Sequence, residues 1–161
     1  MSAFEVRALR ASERRWLAEH LELAWGSTTL VSRGRERDAS ELGVLVATAG
    51  DELVGLATYE LDGDACQLVT LEAFRPQAGI GSALLAAVAD HARSHGCRRL
   101  WLVTTNDNLD ALRFYQRRGM RLTAVHAGAV DAARALKPEI PRTGAHGIRI
   151  SDELELELLL R

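Results

Sequence analysis

Cysteine is scarce in this chain of 161 residues, which contains only Cys66 and Cys97. Two cysteines fit neither the ligand spacing of a zinc site nor the dense disulfide framework of a small secreted domain. We therefore expect two buried free thiols. His20, His91 and His95 lie on predicted helices without a second ligand at metal-binding spacing, so no metal is predicted.

A charge excess and long apolar runs are also missing. The formal net charge is −2, so no overall field attracts nucleic acid or an anionic membrane. No apolar run approaches the ~20 residues that span a bilayer, and residues 1–10 lack the pattern of a signal peptide. Apolar residues make up 47% and charged residues 26%, which is a globular balance. We expect one cytoplasmic, soluble domain over residues 1–161, with no nucleic-acid or membrane partner.

The first quarter of the chain predicts one strand and one helix. Residues 4–9 alternate apolar and polar side chains, which is typical of a half-buried strand. Ser12 can cap a helix over 13–25. The arginine-rich segment 26–40 is expected to be irregular, with a short β-prone patch at 28–31 and room for a short strand or a helical turn.

Three strands then follow in quick succession, over 44–49, 53–61 and 65–73. Short turns that contain Gly50 and Gly63 separate them, which indicates an antiparallel meander.

The next helix and strand predict a parallel pair. The helix runs from residue 80 to about residue 95, Gly96 lies at its C-cap, and a continuous apolar strand follows at 99–104. A strand, a helix and a strand at this spacing form a βαβ unit, so 65–73 and 99–104 should be parallel.

A helix over 108–118, a strand over 120–126 and a long loop over 127–151 precede the last strand, 153–158. The last strand has period two and is expected to point its leucines (Leu154, Leu156, Leu158) inward and its glutamates (Glu153, Glu155, Glu157) outward. The element order predicts an α/β fold with a mixed, mostly antiparallel sheet.

Residues 75–85, Arg-Pro-Gln-Ala-Gly-Ile-Gly-Ser-Ala-Leu-Leu, lead from a strand into a helix. Unsatisfied backbone amides and the helix dipole make such a junction a cradle for an anionic group such as pyrophosphate, and glycine lets the ligand come close. No lysine follows Gly81, which excludes a P-loop. Position 84 is leucine where a dinucleotide fingerprint has its third glycine, so that motif is excluded as well.

At this point the chain resembles the GCN5-related N-acetyltransferase (GNAT) superfamily, whose central motif is Gln/Arg-x-x-Gly-x-Gly/Ala at the start of a helix. Gly79, Ile80 and Gly81 match the second half of that motif. Its first position falls on Pro76, which has no N–H to donate, and Gln77 is the candidate to supply the missing contact.

A second motif of the family, Asn-x-x-Ala-x-x-x-Tyr-x-x-x-Gly-Phe, supports the resemblance. The chain has Asn108, Ala111, Tyr115 and Gly119 at that spacing, with Met120 in place of the phenylalanine.

The resemblance implies a GNAT-like acyl-CoA N-acyltransferase fold that binds acetyl-CoA as a co-substrate between diverging parallel strands. Backbone groups near Leu71, Glu72 and Ala73 would pair with the pantetheine arm like an added strand. Asn108 would hydrogen-bond the pantetheine or the adjoining backbone. Six consecutive amides would hold the pyrophosphate: those of Gln77, Ala78, Gly79, Ile80, Gly81 and Ser82.

Tyr115 has a chemical task in such a reaction. When an amine attacks a thioester, the departing thiolate benefits from a proton donor, and a phenol with a pKa near 10 keeps its proton at neutral pH. Our hypothesis is that Tyr115 donates this proton to the CoA sulfur. The alternative is that Tyr115 anchors its helix to the sheet, since Leu112 and Phe114 beside it are typical core residues.

The acceptor amine must lose a proton before it attacks. Glu72, at the end of the strand 65–73, is the first candidate base, although an exposed strand-end carboxylate explains it equally well. His126 is the second candidate, and a reaction without a dedicated base stays open.

The predicted activity is direct acetyl transfer from acetyl-CoA to a primary amine of a small molecule or peptide, because neither cysteine lies near the expected thioester. A non-catalytic acyl-CoA-binding or regulatory domain is the alternative function, and an acyl donor longer than acetyl is a third option. A homodimer is compatible with the family. Specificity should come from the first helix, the segment 26–40 and four polar residues of the loop 127–151: Lys137, Glu139, Arg142 and His146.

Overall fold

The structure, a computed structural model, describes residues 3–25, 29–38, 41–76 and 78–161, and contains nine strands and four α-helices there. The strands are β1 (Glu5–Ala8), β2 (Thr29–Ser32), β3 (Arg35–Asp38), β4 (Gly43–Ala49), β5 (Glu52–Asp62), β6 (Ala65–Ala73), β7 (Arg99–Thr105), β8 (Arg121–His126) and β9 (Glu153–Leu159). The helices are α1 (Arg14–Trp25), α2 (Ile80–Ser94), α3 (Leu109–Arg117) and α4 (Ala129–Ala133).

Seven strands form one mixed sheet in the order β1-β4-β5-β6-β7-β9-β8, and β2 and β3 form a separate hairpin. The first residues of β6 and β7 lie side by side, because the Asp64 carbonyl accepts hydrogen bonds from the Arg98 and Arg99 amides at 2.6 and 3.4 Å. Two neighbouring strands that begin at the same edge run in the same direction, so the predicted parallel pair is confirmed. The predicted α/β class and mixed sheet are confirmed with it.

Contacts group the described residues into two compact units. The first contains the described residues up to 25, those from 38 to 100, and 159–161. The second contains 29–37 and 101–158, so that β7 begins in the first unit and continues in the second.

In the first unit, β1, β4, β5 and β6 form an antiparallel run, and the predicted meander is confirmed. Helix α2 packs on β4, β5 and β6. Leu84 and Val88 of this helix and Val46 and Leu56 of the sheet are fully buried. Burial of each such side chain contributes about 1.5–3 kcal/mol, so this interface is the main source of stability for the helix.

In the second unit, β8 and β9 are antiparallel, with Leu122 opposite Leu156, and α3 packs on β8. The β-prone patch predicted at 28–31 coincides with β2 in its described residues, but the expectation of irregular structure was wrong for the second strand, β3, and for the hairpin that the two strands form. Residues 26–28 and 39–40 lie outside the described chain. Arg33 and Gly34 form the turn with φ of 52° and 73°, and positive φ at both positions is what a type I′ hairpin turn needs.

The strict alternation predicted for the last strand was also wrong. Glu153 is buried, with 5% of its surface exposed, and accepts hydrogen bonds from the Arg33 amide at 3.3 and 3.4 Å. Burial raises the pKa of Glu153. Leu156 is fully buried, but Leu154 and Leu158 are half-buried. Contact with the hairpin therefore turns one of the glutamates that were expected to face solvent into a buried residue.

None of the helices in the described part of the chain combines the length and the apolar character needed to cross a bilayer.

A bidentate ion pair fixes the start of α1 to β1. The Glu13 carboxylate accepts hydrogen bonds from the Arg7 guanidinium at 2.8 and 2.9 Å and from the Arg10 amide at 2.8 Å. The bond from Arg7, followed by the bond from Arg10, lowers the pKa of Glu13 to about 2. A carboxylate with a folded-state pKa below its unfolded value stabilises the fold above the unfolded pKa, and this stability is lost as pH falls through the folded pKa.

We expect Glu13→Gln to lower the free energy of unfolding at pH 7 by about 1–3 kcal/mol, as for a hydrogen bond to a charged group. The difference from the wild type should shrink as pH falls from about 4.5 toward about 2. Urea denaturation at pH 7, 4 and 3 measures this. Glu19→Gln is the matched control, because its pair with Arg15 is exposed and should contribute less than about 1 kcal/mol. An equal loss at all three pH values would contradict the prediction.

Candidate active site

The first turn of α2 has the geometry of an anion cradle. Gly79 is the N-cap with φ of 79°, and as a glycine it provides no capping side chain. The first intrahelical bond runs from the Ala83 amide to the Gly79 carbonyl at 3.0 Å, so the amides of Ile80, Gly81 and Ser82 precede the regular ladder. These amides and the positive end of the helix dipole favour an anionic group at this place.

The neighbouring residues of the predicted cradle are on the surface. Ala78 and Gly79 are exposed, Gly81 and Ser82 are half-buried, and Ile80 is buried in the core. The predicted contact from Gln77 lies outside the described residues.

A glycine on β5 lets α2 come close to the end of β6. A Cβ on Gly55 would lie 2.6 Å from the Ile80 Cγ2 and 2.9 Å from the Glu72 carbonyl oxygen. Real side chains do not tolerate such contacts, so the first residue of α2 and the end of β6 can approach each other only because position 55 has no side chain.

The end of β6 contains the residues that the resemblance assigned to the pantetheine arm. Leu71, Glu72 and Ala73 pair with Ala57, Leu56 and Gly55 of β5 in the antiparallel ladder. Leu71 and Glu72 are half-buried, and Ala73 is exposed. The structure therefore brings Leu71, Glu72 and Ala73 and the α2 cradle together within the first unit.

Glu72 has a partner that sequence reasoning missed. Its Oε2 lies 2.9 Å from Nε2 of His20 on α1. The His20 ring stacks on Trp16, with centroids 5.2 Å apart and planes 18° apart, and the centroid of the Phe74 ring lies 5.0 Å away with the ring tilted by 53°. The i,i+4 spacing of Trp16 and His20 was a signal in the sequence, but the contact between residues 20 and 72 had none.

Arg75 and Pro76 occupy the start of the motif. The Arg75 guanidinium forms an ion pair with Glu52, and both side chains are exposed. Pro76 is exposed and offers no amide proton.

Asn108 is the N-cap of α3. Its Oδ1 accepts a hydrogen bond from the Ala111 amide, and its Nδ2 donates to the Thr104 hydroxyl, both at 3.2 Å. A side-chain cap contributes about 1 kcal/mol. The conformation of α3 therefore depends on Asn108 whether or not it also contacts a ligand.

Tyr115, on the same helix, is buried, with 9% of its surface exposed, and packs edge-on against Phe114 at 5.1 Å. Burial raises its pKa above the ordinary value of 10, so the phenol keeps its proton throughout the neutral range. Its hydroxyl has no hydrogen-bond partner among the described residues. A buried ring with an unengaged hydroxyl is compatible with both the anchoring and the proton-donor interpretations.

The second candidate base, His126, is engaged elsewhere in the second unit. Its Nε2 lies 3.1 Å from Oε1 of Glu155, next to the Glu153 contact with the hairpin. Both side chains are largely buried, so this pair contributes to the packing of β8 on β9.

Two residues after β7 hold the long loop 127–151 in place. The Asn106 side chain donates to the Arg149 carbonyl at 2.9 Å and accepts from the Ser151 and Asp152 amides at 3.0 Å. Asp107 is buried and accepts from the Ala145 amide at 3.0 Å. The loop that was expected to carry acceptor specificity is therefore fixed at its C-terminal end.

Both cysteines are buried free thiols, as predicted. Burial raises the pKa of Cys66 to about 12 and also raises that of Cys97. A protonated, buried thiol is a poor nucleophile, so the cysteines are unsuited to carry an acyl group.

A separate shallow pocket of about 300 Å³ lies at the other end of β5, lined by Tyr59, His91 and neighbouring residues. The Tyr59 hydroxyl lies 3.1 Å from Nε2 of His91, and burial lowers the pKa of this histidine. None of the predicted site residues lines this pocket.

Comparisons with known proteins agree on one family. The model of the acetyltransferase (GNAT) family matches residues 6–120. The uncharacterized protein YdhI of Bacillus subtilis (strain 168) is 40% identical over 131 residues, which cover 81% of this chain and 82% of that protein.

Two solved structures share the fold. The IAA acetyltransferase from Bacillus cereus ATCC 14579 has a TM-score of 0.75 and 18% identity, with 98% of this chain and 99% of that chain covered. A GNAT family acetyltransferase from Elizabethkingia anophelis with acetyl-CoA bound has a TM-score of 0.69 and 19% identity, with 99% and 100% covered. At this identity the two structures establish the fold alone, and the predicted GNAT-like fold is confirmed.

We expect Gly55→Ala to lower the free energy of unfolding by about 1–3 kcal/mol, because the new methyl group collides with Ile80 and the Glu72 carbonyl. A double-mutant cycle with Ile80→Ala in urea denaturation tests the cause. Removal of the Ile80 side chain should relieve part of the collision, so the double variant should lose less than the two single losses together. Strictly additive losses would show that α2 does not depend on close approach at Gly55.

Proposed function

The chain belongs to the GNAT family of acetyltransferases, and on this premise we propose that it transfers the acetyl group of acetyl-CoA directly to a primary amine. The acceptor is a small molecule or a peptide with a free amine. The observation that carries the proposal is the match to the family together with the glycine-capped first turn of α2, whose amides precede the regular helical ladder.

Acetyl-CoA binding is assigned to two segments of the first unit. The pyrophosphate is held in this proposal by six consecutive backbone amides: those of Gln77, Ala78, Gly79, Ile80, Gly81 and Ser82. Backbone groups of Leu71, Glu72 and Ala73 pair with the pantetheine arm. The position of Gly79 at the N-cap, with no side chain in front of the amides, supports this assignment.

Asn108 has two parts in the proposal. It caps α3 through the Ala111 amide, and its amide group also contacts the pantetheine arm. An Asn side-chain oxygen has two lone pairs, so the cap leaves capacity for a second donor.

The transfer requires two protons to leave the acceptor nitrogen. The first leaves the ammonium group with the help of Glu72, so that the nitrogen lone pair can attack the carbonyl carbon of the thioester. The C–S bond breaks and its electron pair stays on sulfur. Tyr115 gives its proton to that sulfur and recovers the second proton from the nitrogen, which becomes an amide. The raised pKa of Tyr115 supports this role, because the donor is protonated at the start of every cycle.

Direct transfer is favoured over an acyl-enzyme intermediate. The two thiols of the chain are buried, and burial raises the pKa of both. The amine therefore attacks the thioester itself in a complex of enzyme and both substrates.

Pro76 favours a second candidate, a regulatory domain that binds acyl-CoA without catalysis, because the first motif position has no amide proton. The acyl group of the bound acyl-CoA is then either acetyl or a longer chain. Release of free CoA in the presence of an amine distinguishes catalysis from binding.

We expect acetyl-CoA at 100 times its dissociation constant to stabilise the folded protein by about 2.7 kcal/mol, which is measured as a rise in melting temperature. NAD and ATP are the controls and should give no comparable rise, because the sequence lacks both of their motifs. No shift with acetyl-CoA would refute the proposed co-substrate. A larger shift with a longer acyl-CoA would identify the donor.

We expect Tyr115→Phe to lower kcat at saturating acetyl-CoA by about 100-fold or more, because the departing sulfur loses its proton donor. Steady-state release of free CoA with a reactive amine measures this. The matched control is Tyr59→Phe, since these are the two tyrosines of the chain and both are buried. Undiminished turnover of the Tyr115 variant would assign this residue to packing alone.

A further inference from the structure

The His20 ring is oriented by three groups of the first unit. Glu72 contacts Nε2 at 2.9 Å, Trp16 stacks on the ring, and the tilted Phe74 ring has its centroid 5.0 Å away. The side chain of His20 is still 24% exposed, and that of Glu72 is 20% exposed. The ring is therefore fixed in direction but within reach of a solute.

The contact with Glu72 determines which ring nitrogen can act as a base. An ionised carboxylate accepts hydrogen bonds and cannot donate them, so the ring must place its proton on Nε2. The lone pair of the neutral ring then lies on Nδ1. Among the described residues Nδ1 has no hydrogen-bond partner. A carboxylate that fixes the tautomer of a histidine is the arrangement by which proteins prepare an imidazole for proton transfer.

The backbone of Glu72 lies next to the proposed donor site. The Glu72 carbonyl and the Ile80 side chain approach the same point above Gly55, and Ile80 is the first residue of α2. Phe74 follows the end of β6 directly and contacts the ring. The histidine is thus anchored to the segment that connects Glu72 with the proposed pyrophosphate cradle.

Two arginines close in sequence to Glu72 and His20 form ion pairs of their own. Arg75, beyond β6, forms an ion pair with Glu52 on β5. On α1, Arg15 pairs with Glu19 in an exposed position. Glu72 is the charged group that contacts the ring in the described structure.

We propose that His20 is the catalytic base of the proposed acetyl transfer, with Glu72 as the residue that positions it. The ammonium proton of the acceptor passes to the lone pair of Nδ1. The resulting imidazolium keeps its Nε2 proton and donates it in the hydrogen bond to the Glu72 carboxylate. The neutral nitrogen attacks the thioester, and the imidazolium later releases its proton to solvent. This inference rests on the proposed function and changes the part of Glu72 in it from direct acceptor to orienting group.

The tautomer can be measured without any acceptor. NMR of the full chain with ¹⁵N-labelled histidine, with His20→Asn for assignment, should show the proton of the neutral ring on Nε2. Glu72→Gln should weaken that preference, because an amide can also donate to the ring. A neutral His20 with its proton on Nδ1 would overturn the proposal.

Kinetics distinguish a base from a structural clamp. With an alkylamine, which is protonated at pH 7, we expect His20→Asn to lower kcat by about 100-fold or more and to abolish the acid limb of the pH–rate profile. With an aromatic amine, which is already neutral at pH 7, the loss should be less than about 10-fold. His95→Asn, a surface histidine just after α2, is the control and should keep the wild-type rates.

Equal losses with both amines would show that His20 has a structural role only. If His126→Asn, and not His20→Asn, abolished the acid limb of the pH–rate profile, His126 would be the base. Stabilisation by acetyl-CoA distinguishes a failure of the proposed function from a failure of the role of His20. Wild-type protein without such stabilisation would refute the proposed function itself. Normal stabilisation of His20→Asn with equal losses for both amines would refute the role of His20 alone.

Discussion

The approach of α2 to β5 at Gly55 is the contact on which the candidate site depends. Any side chain at position 55 would meet Ile80 and the Glu72 carbonyl, so this one residue sets how near the first turn of α2 lies to the end of β6. The rest of the helix interface is ordinary core, with Leu84 and Val88 fully buried. The large apolar interface holds α2 on the sheet, and the absence of a side chain at position 55 sets the position of its first turn.

The pairing of His20 with Glu72 is not explained by stability alone. Two ionisable groups that are largely buried lose part of their hydration, and such pairs contribute little net stability compared with apolar residues of the same size. A clamp between α1 and β6 could be built from Trp16 and Phe74 without any charge. A carboxylate at Nε2, and an Nδ1 without a hydrogen-bond partner among the described residues, are features that a clamp does not need.

The sequence predicted the α/β class, the meander, the parallel pair and the glycine-capped helix, because each follows from local periodicity or from turn residues. It did not predict the β2–β3 hairpin, since the positive φ of Arg33 has no signal in a residue type that usually avoids it. It placed Glu153 in solvent, because period two describes a strand by itself and not the hairpin that covers it. The role of His20 was missed because its partner, Glu72, is 52 residues away in the sequence, and local patterns do not report such contacts.

The three consecutive residues Asn106, Asp107 and Asn108 fix both the start of α3 and the loop 127–151. Asn108 caps α3, while Asn106 and Asp107 bind backbone groups of the loop 127–151. Asn106 and Asp107 bind only backbone amides and carbonyls of the loop. Two loop positions are anchors as well, because the Arg134 guanidinium donates to the Ile140, Pro141 and Ile150 carbonyls and a side chain on Gly144 would collide with the Asp107 carboxylate. The other positions of the loop can vary their side chains toward different acceptors while Asn108 keeps the start of the helix that carries Tyr115.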